Sequence, residues 1–164
     1  MEKPLERAQA WLKEPYDAET QAETQALIKQ GGDALVDAFY QDLDFGTGGL
    51  RGIMGVGTNR INKYTLGNAT QGLSNYLRSH YPNEQIKVAI AHDSRHNSKS
   101  FARQVAEVLS ANDIKVYLYE DLRPTPALSF AIRHLNCHSG IVLTASHNPP
   151  AYNGYKVYWS DGGQ

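Results

Sequence analysis

Residues 140–150 read Gly-Ile-Val-Leu-Thr-Ala-Ser-His-Asn-Pro-Pro, an apolar run followed at once by a polar stretch that ends in two prolines. The run 140–143 is typical of a short buried strand, and the prolines exclude a helix directly after it. Ser146 is therefore predicted on a sharp loop at a strand end, where a rigid sheet would expose its hydroxyl group. Lys156 follows in a second strand-like segment, 154–158. A cation beside Ser146 would favour an anionic substituent on that hydroxyl group.

Strands and helices alternate from residue 64 to this stretch. The predicted elements are a helix from Tyr64 that Pro82 terminates, a strand over 86–91, a helix with Ser98 as its N-cap, a strand over 115–119 and a helix over 127–135. This order predicts an α/β fold: a mixed, mostly parallel sheet with helices on both faces. The loops after Ala91, Tyr119 and Leu143 should then open at the same edge of the sheet, where ligands of such folds bind.

The first part of the chain, residues 1–44, is predicted to form a helical arm, separate from a domain over 45–164. Helical spacing predicts three helices, over 5–13, 18–30 and 33–40, and Asp17 is placed to cap the second. The second helix carries few apolar residues, which are Ala22, Ala26, Leu27 and Ile28. We therefore expect the arm to lie on the surface of the main body.

Between arm and domain lies a glycine-rich segment, residues 45–52, which reads Phe-Gly-Thr-Gly-Gly-Leu-Arg-Gly. Its four glycines would let backbone amides turn towards an anion, and Arg51 offers a planar fork of donors for a phosphate group. The composition fits a phosphate contact and a flexible turn equally well. It fits neither a Rossmann fingerprint, which needs a third glycine in phase and a preceding strand, nor a P-loop, which needs Gly-Lys-Ser/Thr.

Composition and charge argue against several classes of binding partner. The 164 residues contain 16 Lys and Arg against 17 Asp and Glu, so the basic field that collects nucleic acid or anionic lipid is not expected. The sequence has neither a signal-peptide pattern at its start nor an apolar stretch of about 18 residues, so we expect no membrane partner and a cytoplasmic location. The single cysteine, Cys137, cannot form an internal disulfide and is expected to pack in the core.

The two loop motifs together resemble the alpha-D-phosphohexomutase family, which includes phosphoglucomutases and phosphomannomutases. Residues 144–149, Thr-Ala-Ser-His-Asn-Pro, match the family's phosphoserine loop, and residues 45–52 match its N-terminal arginine loop, in the expected order. The resemblance implies the phosphoserine domain, the first of four in the family. The family's magnesium-binding Asp-Gly-Asp-x-Asp-Arg loop does not occur in the sequence. The resemblance therefore also implies further domains as partners of this one.

The resemblance further implies a role for each matching residue. Ser146 would carry a phosphoryl group and hand it to a sugar monophosphate, and the resulting sugar bisphosphate would turn round and return its other phosphate. Lys156 would be the candidate general acid or base with His147 as a helper, and Arg51 would stabilise the transferring oxygens. Thr47, Gly48 and Asn148 would join Arg51 and Lys156 in binding the substrate's phosphate. Ser146, through its phosphate, is the one magnesium ligand that the resemblance places here.

Two classes of function follow. The first is a domain of an isomerase that interconverts sugar 1- and 6-phosphates, glucose being the expected sugar and mannose or pentose phosphates the alternatives, with no activity as an isolated domain. The second is a non-catalytic domain of the same fold that binds a phosphorylated ligand or a partner protein. A serine hydrolase is disfavoured because Ala145 and His147 replace the glycines of a Gly-x-Ser-x-Gly elbow. Residues 93–96 fit a support for the Ser146 loop and a solvated turn equally well.

Overall fold

The computed structural model describes residues 3–164, and a sheet of five strands lies at its centre. In chain order the strands are β1 (Gly49–Ile53), β2 (Lys87–His92), β3 (Lys115–Leu118), β4 (Ser139–Leu143) and β5 (Tyr152–Trp159). Their order across the sheet is β1-β5-β4-β2-β3. β2 pairs in parallel with β3 and β4, whereas β5 runs antiparallel to β4 and β1. Four strands thus point one way and β5 the other, which confirms the predicted mixed, mostly parallel sheet.

Helices cover both faces of this sheet, as predicted. The six helices are α1 (Pro4–Ala10), α2 (Ala18–Gln30), α3 (Gly32–Phe39), α4 (Lys63–His80), α5 (Ser98–Ala111) and α6 (Thr125–His134). One face of the sheet packs against α4 and α5 in a large apolar cluster, and the other packs against α6 in a smaller one. None of the helices within residues 3–164 combines the length and the hydropathy of a membrane span.

Alternation along the strands divides their side chains between the two faces. Ile141 and Tyr155 are fully buried on the α4/α5 face, whereas Val142 and Tyr158 lie on the α6 face. Burial raises the pKa of Tyr155, whose hydroxyl group accepts a hydrogen bond from Thr70 Oγ1 at 3.2 Å. The sheet is therefore a rigid platform with apolar layers above and below it.

Cys137 lies in the smaller apolar cluster, with only 2% of its surface exposed. Burial raises the pKa of its thiol group. The predicted packing role is confirmed.

The edge strand β1 was not anticipated, because residues 49–53 fall in the segment that the glycine pattern identified as a loop. Gly49 has φ of +155°, and a Cβ atom there would lie 2.0 Å from the Tyr155 carbonyl oxygen. Only glycine lets β1 come this close to β5. Glycine has a low strand propensity, so the residue that permits the pairing also hides the strand from sequence patterns.

The prediction that Ser98 caps α5 is wrong. The N-cap residue is Asn97, and Ser98 is the first residue of the helix, fully buried. Its hydroxyl group donates to Asp93 Oδ1 at 2.7 Å and accepts from Asn153 Nδ2 at 3.0 Å. Ser98 therefore ties the loop after β2 to β5 instead of capping the helix.

The helices α1 to α3, here called the arm, pack through their own apolar cluster against Val56 and Tyr64 of the body. The predicted bounds of α2 are confirmed, and so is its cap, since Asp17 accepts a hydrogen bond from the Thr20 amide. Of the few apolar residues of α2, Ala22 and Ala26 are exposed. Thr20 and Thr24 are the buried residues, and Thr24 can face inward because its hydroxyl group donates to the Thr20 carbonyl at 2.7 Å.

Candidate active site

The three parallel strands β2, β3 and β4 end at one edge of the sheet. The Asp93 amide after β2 donates to the Leu143 carbonyl at the end of β4 at 3.1 Å, and the Arg123 amide donates to the His92 carbonyl at 3.0 Å. The loops that follow these strands therefore lie side by side, as the strand order predicted. The loop after β4 carries Ser146.

Ser146 is exposed on this loop in a left-handed conformation, with φ of +54°. A serine with positive φ is uncommon and needs support from its surroundings. Its amide donates to Thr144 Oγ1 at 3.0 Å, and Thr144 Oγ1 donates in turn to Asp93 Oδ2 at 2.6 Å. These bonds anchor the backbone beside the serine and do not involve its hydroxyl group.

Lys156 lies on β5, where it faces Val142 of β4 and Gly49 of β1 in the strand register. Its Nζ atom donates to Ser146 Oγ at 2.8 Å. The antiparallel return of β5 along β4 thus brings the ammonium group directly to the serine. The convergence that the sequence predicted is present in the structure.

Arg51 reaches the same loop from β1. It pairs with Gly154 of β5, and the alternation of side chains places it on the same face of the sheet as Lys156. Its Nη1 atom donates to Asn148 Oδ1 at 2.9 Å, and the side chain is exposed. Two cations from distant parts of the chain therefore flank the Ser146 loop.

The remaining predicted residues are less closely tied to Ser146. The Gly48 carbonyl accepts a hydrogen bond from the Val157 amide at 2.8 Å, which holds the glycine turn next to Lys156. Thr47 and His147 are exposed, and no hydrogen bond of either side chain is found within residues 3–164. Their predicted contacts with phosphate or with the reacting hydroxyl group stay predictions.

The described residues do not assemble a metal site of their own. No group of three or more His, Cys, Asp or Glu side chains within residues 3–164 could hold a metal ion. Asp93 follows the same edge, but its oxygens already accept hydrogen bonds from Arg95, Ser98 and Thr144. A magnesium ion at Ser146 would find one oxygen ligand here, the serine's own phosphate, and hard cations usually need several.

The segment after β2 resolves an alternative that the sequence left open. Asp93 and Arg95 support the Ser146 loop, whereas Ser94 and His96 are exposed. The signal was a run of polar residues directly after a buried strand, which is where a parallel sheet places its ligand loops. Which residues of the run turn inward could not be inferred from their spacing.

The chain is similar to known proteins over most of its length. The sequence model of phosphoglucomutase/phosphomannomutase, alpha/beta/alpha domain I, matches residues 42–164. A phosphoglucomutase of Staphylococcus aureus (strain bovine RF122 / ET3-1) is 47% identical over 136 residues, which cover 83% of this chain and 24% of the relative. A phosphoglucomutase of Staphylococcus haemolyticus (strain JCSC1435) is 42% identical over 150 residues, covering 84% of this chain and 27% of the relative.

Solved structures agree with these matches. A protein of Thermus thermophilus that is assigned as a phosphomannomutase superposes with a TM-score of 0.68 at 36% identity, covering 75% of this chain and 27% of that chain. The chain thus spans about a quarter of the length of the curated relatives that it matches.

Proposed function

Because this chain belongs to the phosphoglucomutase/phosphomannomutase family, we propose that it is the phosphoserine-bearing domain of an isomerase of carbohydrate metabolism. The isomerase moves a phosphoryl group between two oxygens of one sugar, interconverting the 1-phosphate and the 6-phosphate. The observation that carries the proposal is the 2.8 Å contact between Lys156 Nζ and Ser146 Oγ, on an exposed loop at the carboxyl edge of the sheet.

The proposed reaction begins with a phosphoryl group on Ser146. A hydroxyl oxygen of the sugar monophosphate attacks the phosphorus, the bond from phosphorus to Oγ breaks, and the proton of the sugar hydroxyl is transferred so that Oγ leaves as a hydroxyl group. The bisphosphorylated sugar turns round and returns its other phosphate by the reverse step. Phosphoryl transfer depends on positioning and charge neutralisation more than on covalent help from the protein, so a serine flanked by cations supports this chemistry.

The cations have distinct proposed roles. Lys156 touches the leaving oxygen and acts there as general acid, then as general base in the return step. Arg51 neutralises charge on the phosphoryl oxygens, for which its exposed guanidinium fork is suited. Gly48 and Asn148 line the phosphate position together with Thr47, and His147 assists proton transfer from its place next to Ser146.

The proposal includes parts that this chain would share with others. We propose a division into a helical arm, residues 1–44, and a catalytic domain, residues 45–164, that works with further domains. Those domains would supply the other ligands of a magnesium ion that neutralises the phosphate on Ser146. Glucose phosphates are the proposed substrates and the cytoplasm is the proposed location.

Phosphorylation of Ser146 provides the direct test. We expect incubation with glucose 1,6-bisphosphate and Mg²⁺ to add one phosphoryl group, located by intact mass and peptide mapping on the peptide that carries Ser146. Ser146→Ala should take none, and Ser94→Ala, a matched change at another exposed serine, should behave like the wild type. A phosphoryl group found at Ser94, Ser98 or Ser139 instead would remove Ser146 from the mechanism.

Two further measurements separate the enzyme from a binding domain. We expect no turnover of glucose 1-phosphate by this chain in a coupled mutase assay, because turnover requires further domains to hold the sugar bisphosphate while it turns round, whereas the uptake of one phosphoryl group by Ser146 does not. A chain that binds glucose phosphates by isothermal titration yet never becomes phosphorylated on Ser146 would favour a non-catalytic domain of the same fold.

A further inference from the structure

We propose that Arg95 is a positioning residue for phosphoryl transfer: it fixes the backbone of residues 146–152 so that the Ser146 hydroxyl group faces Lys156. The inference rests on the proposed function, because positioning matters only if Ser146 exchanges a phosphoryl group. Arg95 lies in the polar segment after β2, more than forty residues before the loop that it contacts.

The Arg95 guanidinium group holds four backbone carbonyls of this loop. Its Nη2 atom donates to the carbonyls of Ser146 at 2.8 Å and Asn148 at 2.7 Å. Its Nη1 atom donates to those of Pro149 at 2.9 Å and Tyr152 at 3.1 Å. A single side chain thus joins the start of the loop to the first residue of β5.

The third nitrogen and the surroundings of Arg95 exclude direct contact with substrate. Its Nε atom lies 3.4 Å from Asp93 Oδ2, and only 14% of the side chain is exposed. With every nitrogen engaged, Arg95 has no free donor for a phosphate group, unlike the exposed Arg51. Arg95 therefore acts through the loop and not on the substrate.

Asp93 links the Arg95 side chain to the backbone that precedes Ser146. The same carboxylate that pairs with Arg95 accepts a hydrogen bond from Thr144 Oγ1, which accepts one from the Ser146 amide. The peptide groups before and after Ser146 are thus both fixed by one connected set of charged and polar groups. Such a set can hold a serine at φ of +54°, a conformation that the residue would leave without support.

Arginine is required here because of its geometry. Its guanidinium group presents five N–H donors in a rigid plane, whereas a lysine carries three donors on one atom at the end of a flexible stem. A lysine at position 95 could keep the charge pairing with Asp93 but could not span four carbonyls. Arg95→Lys therefore separates the planar fork from the positive charge.

The test compares Arg95→Lys with Arg103→Lys. Arg103 is an α5 residue whose side chain is 81% exposed and lies 3.7 Å from Glu107, so its replacement controls for the loss of an arginine. We expect the amides of Asn148 and Tyr152, which donate within the loop to Ala145 and Pro149, to exchange hydrogen at least about tenfold faster in Arg95→Lys. Arg103→Lys should leave this exchange unchanged.

The reaction provides a second readout on the same proteins. We expect the rate at which Ser146 takes a phosphoryl group from glucose 1,6-bisphosphate to fall about a hundredfold in Arg95→Lys, the usual effect of an ångström-scale misplacement. The concentration of bisphosphate at half-maximal rate should stay unchanged, since Arg95 does not touch it. Arg103→Lys should match the wild type in both quantities.

The two readouts fail separately. If wild-type Ser146 takes no phosphoryl group, the proposed function fails, while hydrogen exchange still tests whether Arg95 holds the loop. If the loop amides of Arg95→Lys exchange hydrogen at the wild-type rate, the positioning role is overturned. If Arg95→Lys does not fold, as judged by circular dichroism, Asp93→Asn decides instead, because it removes the negative charge that pairs with Arg95 Nε with little change of shape. Faster exchange at Asn148 in that variant supports the proposal, and unchanged exchange overturns it.

Discussion

The body and the arm of this molecule are held together in different ways. The body, the sheet with α4 to α6, has fully buried side chains on both faces, such as Leu66, Ile141 and Ile132. The arm contributes a smaller cluster around Trp11 and Phe39. The border between arm and body carries charged contacts, with Arg60 2.6 Å from Asp37 and Lys63 2.6 Å from Asp17.

The geometry of the candidate site therefore depends on the apolar core of the body, whereas the attachment of the arm depends in part on the charged contacts at its border with the body. Apolar burial responds weakly to salt and pH, whereas exposed ion pairs are screened by salt and lost when a partner is protonated. Ser146, Lys156 and Arg51 all lie on the sheet or the loops that it supports. The family match also begins at residue 42, after the three arm helices. The arm should therefore loosen under conditions that leave the candidate site intact.

The largest effect is expected from a cavity in the body. Ile141→Ala, at a fully buried position in β4, should lower the free energy of unfolding by about 2–5 kcal/mol. Leu35→Ala, at a buried position in the arm cluster, should loosen the arm while the body unfolds at its usual urea concentration. Urea unfolding followed by circular dichroism, with hydrogen exchange to locate the change, measures both. Equal loss of body stability in the two variants would contradict the division into body and arm.

Two glycines allow the body and the arm to be compared through changes that strain the backbone. A Cβ atom on Gly49 would lie 2.0 Å from the Tyr155 carbonyl oxygen in the body, and one on Gly57 would lie 2.4 Å from the Ala38 carbonyl oxygen in the arm. Both residues have positive φ, so alanine at either should cost about 1–3 kcal/mol. Only Gly49→Ala should also displace Arg51 and slow phosphorylation of Ser146.

Gly72→Ala is the matched control for these glycine variants. Gly72 lies in α4, and a Cβ atom added there would meet nothing within 4 Å apart from the adjoining backbone of its own helix, so alanine should be neutral or stabilise the helix by up to about 1 kcal/mol. Thermal unfolding ranks the three variants. A Gly57→Ala protein that loses phosphorylation of Ser146 as strongly as Gly49→Ala would show that the arm shapes the site.

The smallest effect is expected at the border, from Asp17. A hydrogen-bonded ion pair with Lys63, and the Tyr64 hydroxyl group, hold the pKa of the Asp17 carboxyl group well below its usual range. A lowered folded pKa means that the stabilisation is complete above the ordinary aspartate pKa of about 3.9 and is lost as the pH falls below it. Asp17→Asn keeps the helix cap, removes the charge, and should cost about 0.2–1 kcal/mol, since the side chain is 37% exposed.

Trp11 fluorescence can follow this loss, because Trp11 stacks on Tyr16 at 4.4 Å between ring centroids. A Trp159→Phe background makes Trp11 the only reporter, since the sequence has two tryptophans. Below about pH 4 the Trp11 fluorescence of the parent protein should change. The change should be smaller in Asp17→Asn, because this variant has no carboxylate at position 17 to be protonated. Asp113→Asn, at an exposed ion pair of the body, should keep the parent's pH response. An identical response in the Asp17 variant would show that the arm is held by burial alone.

Sequence patterns worked where burial dictates residue type. Ile141 to Leu143 could be identified as a strand because a strand buried on both faces requires an apolar run, and Asp17 as a cap because an orphan amide requires an acceptor. Sequence patterns failed at Gly49, because the strand pairing there depends on a close approach of two backbones and not on a pattern of side chains. They also failed at Ser98, whose side chain turns into the interior at the start of α5. Thr24 was missed because a helical threonine can satisfy its own hydroxyl group.

Local sequence patterns were sufficient to predict the α/β class, the order of helices and strands from residue 64 onward, and a loop that carries Ser146 at the carboxyl edge of the sheet. These features follow from local periodicity and from the backbone limits of proline and glycine, which act over a few residues. Three features could be found only in the folded molecule: the antiparallel return of β5 beside β4, the pairing of β1 with the free edge of β5, and the contacts of Arg95 with the Ser146 loop. Those contacts join residues that lie far apart in the chain, such as Arg51 and Asn148. The spacing of side chains along the chain does not predict which strands pair at their edges.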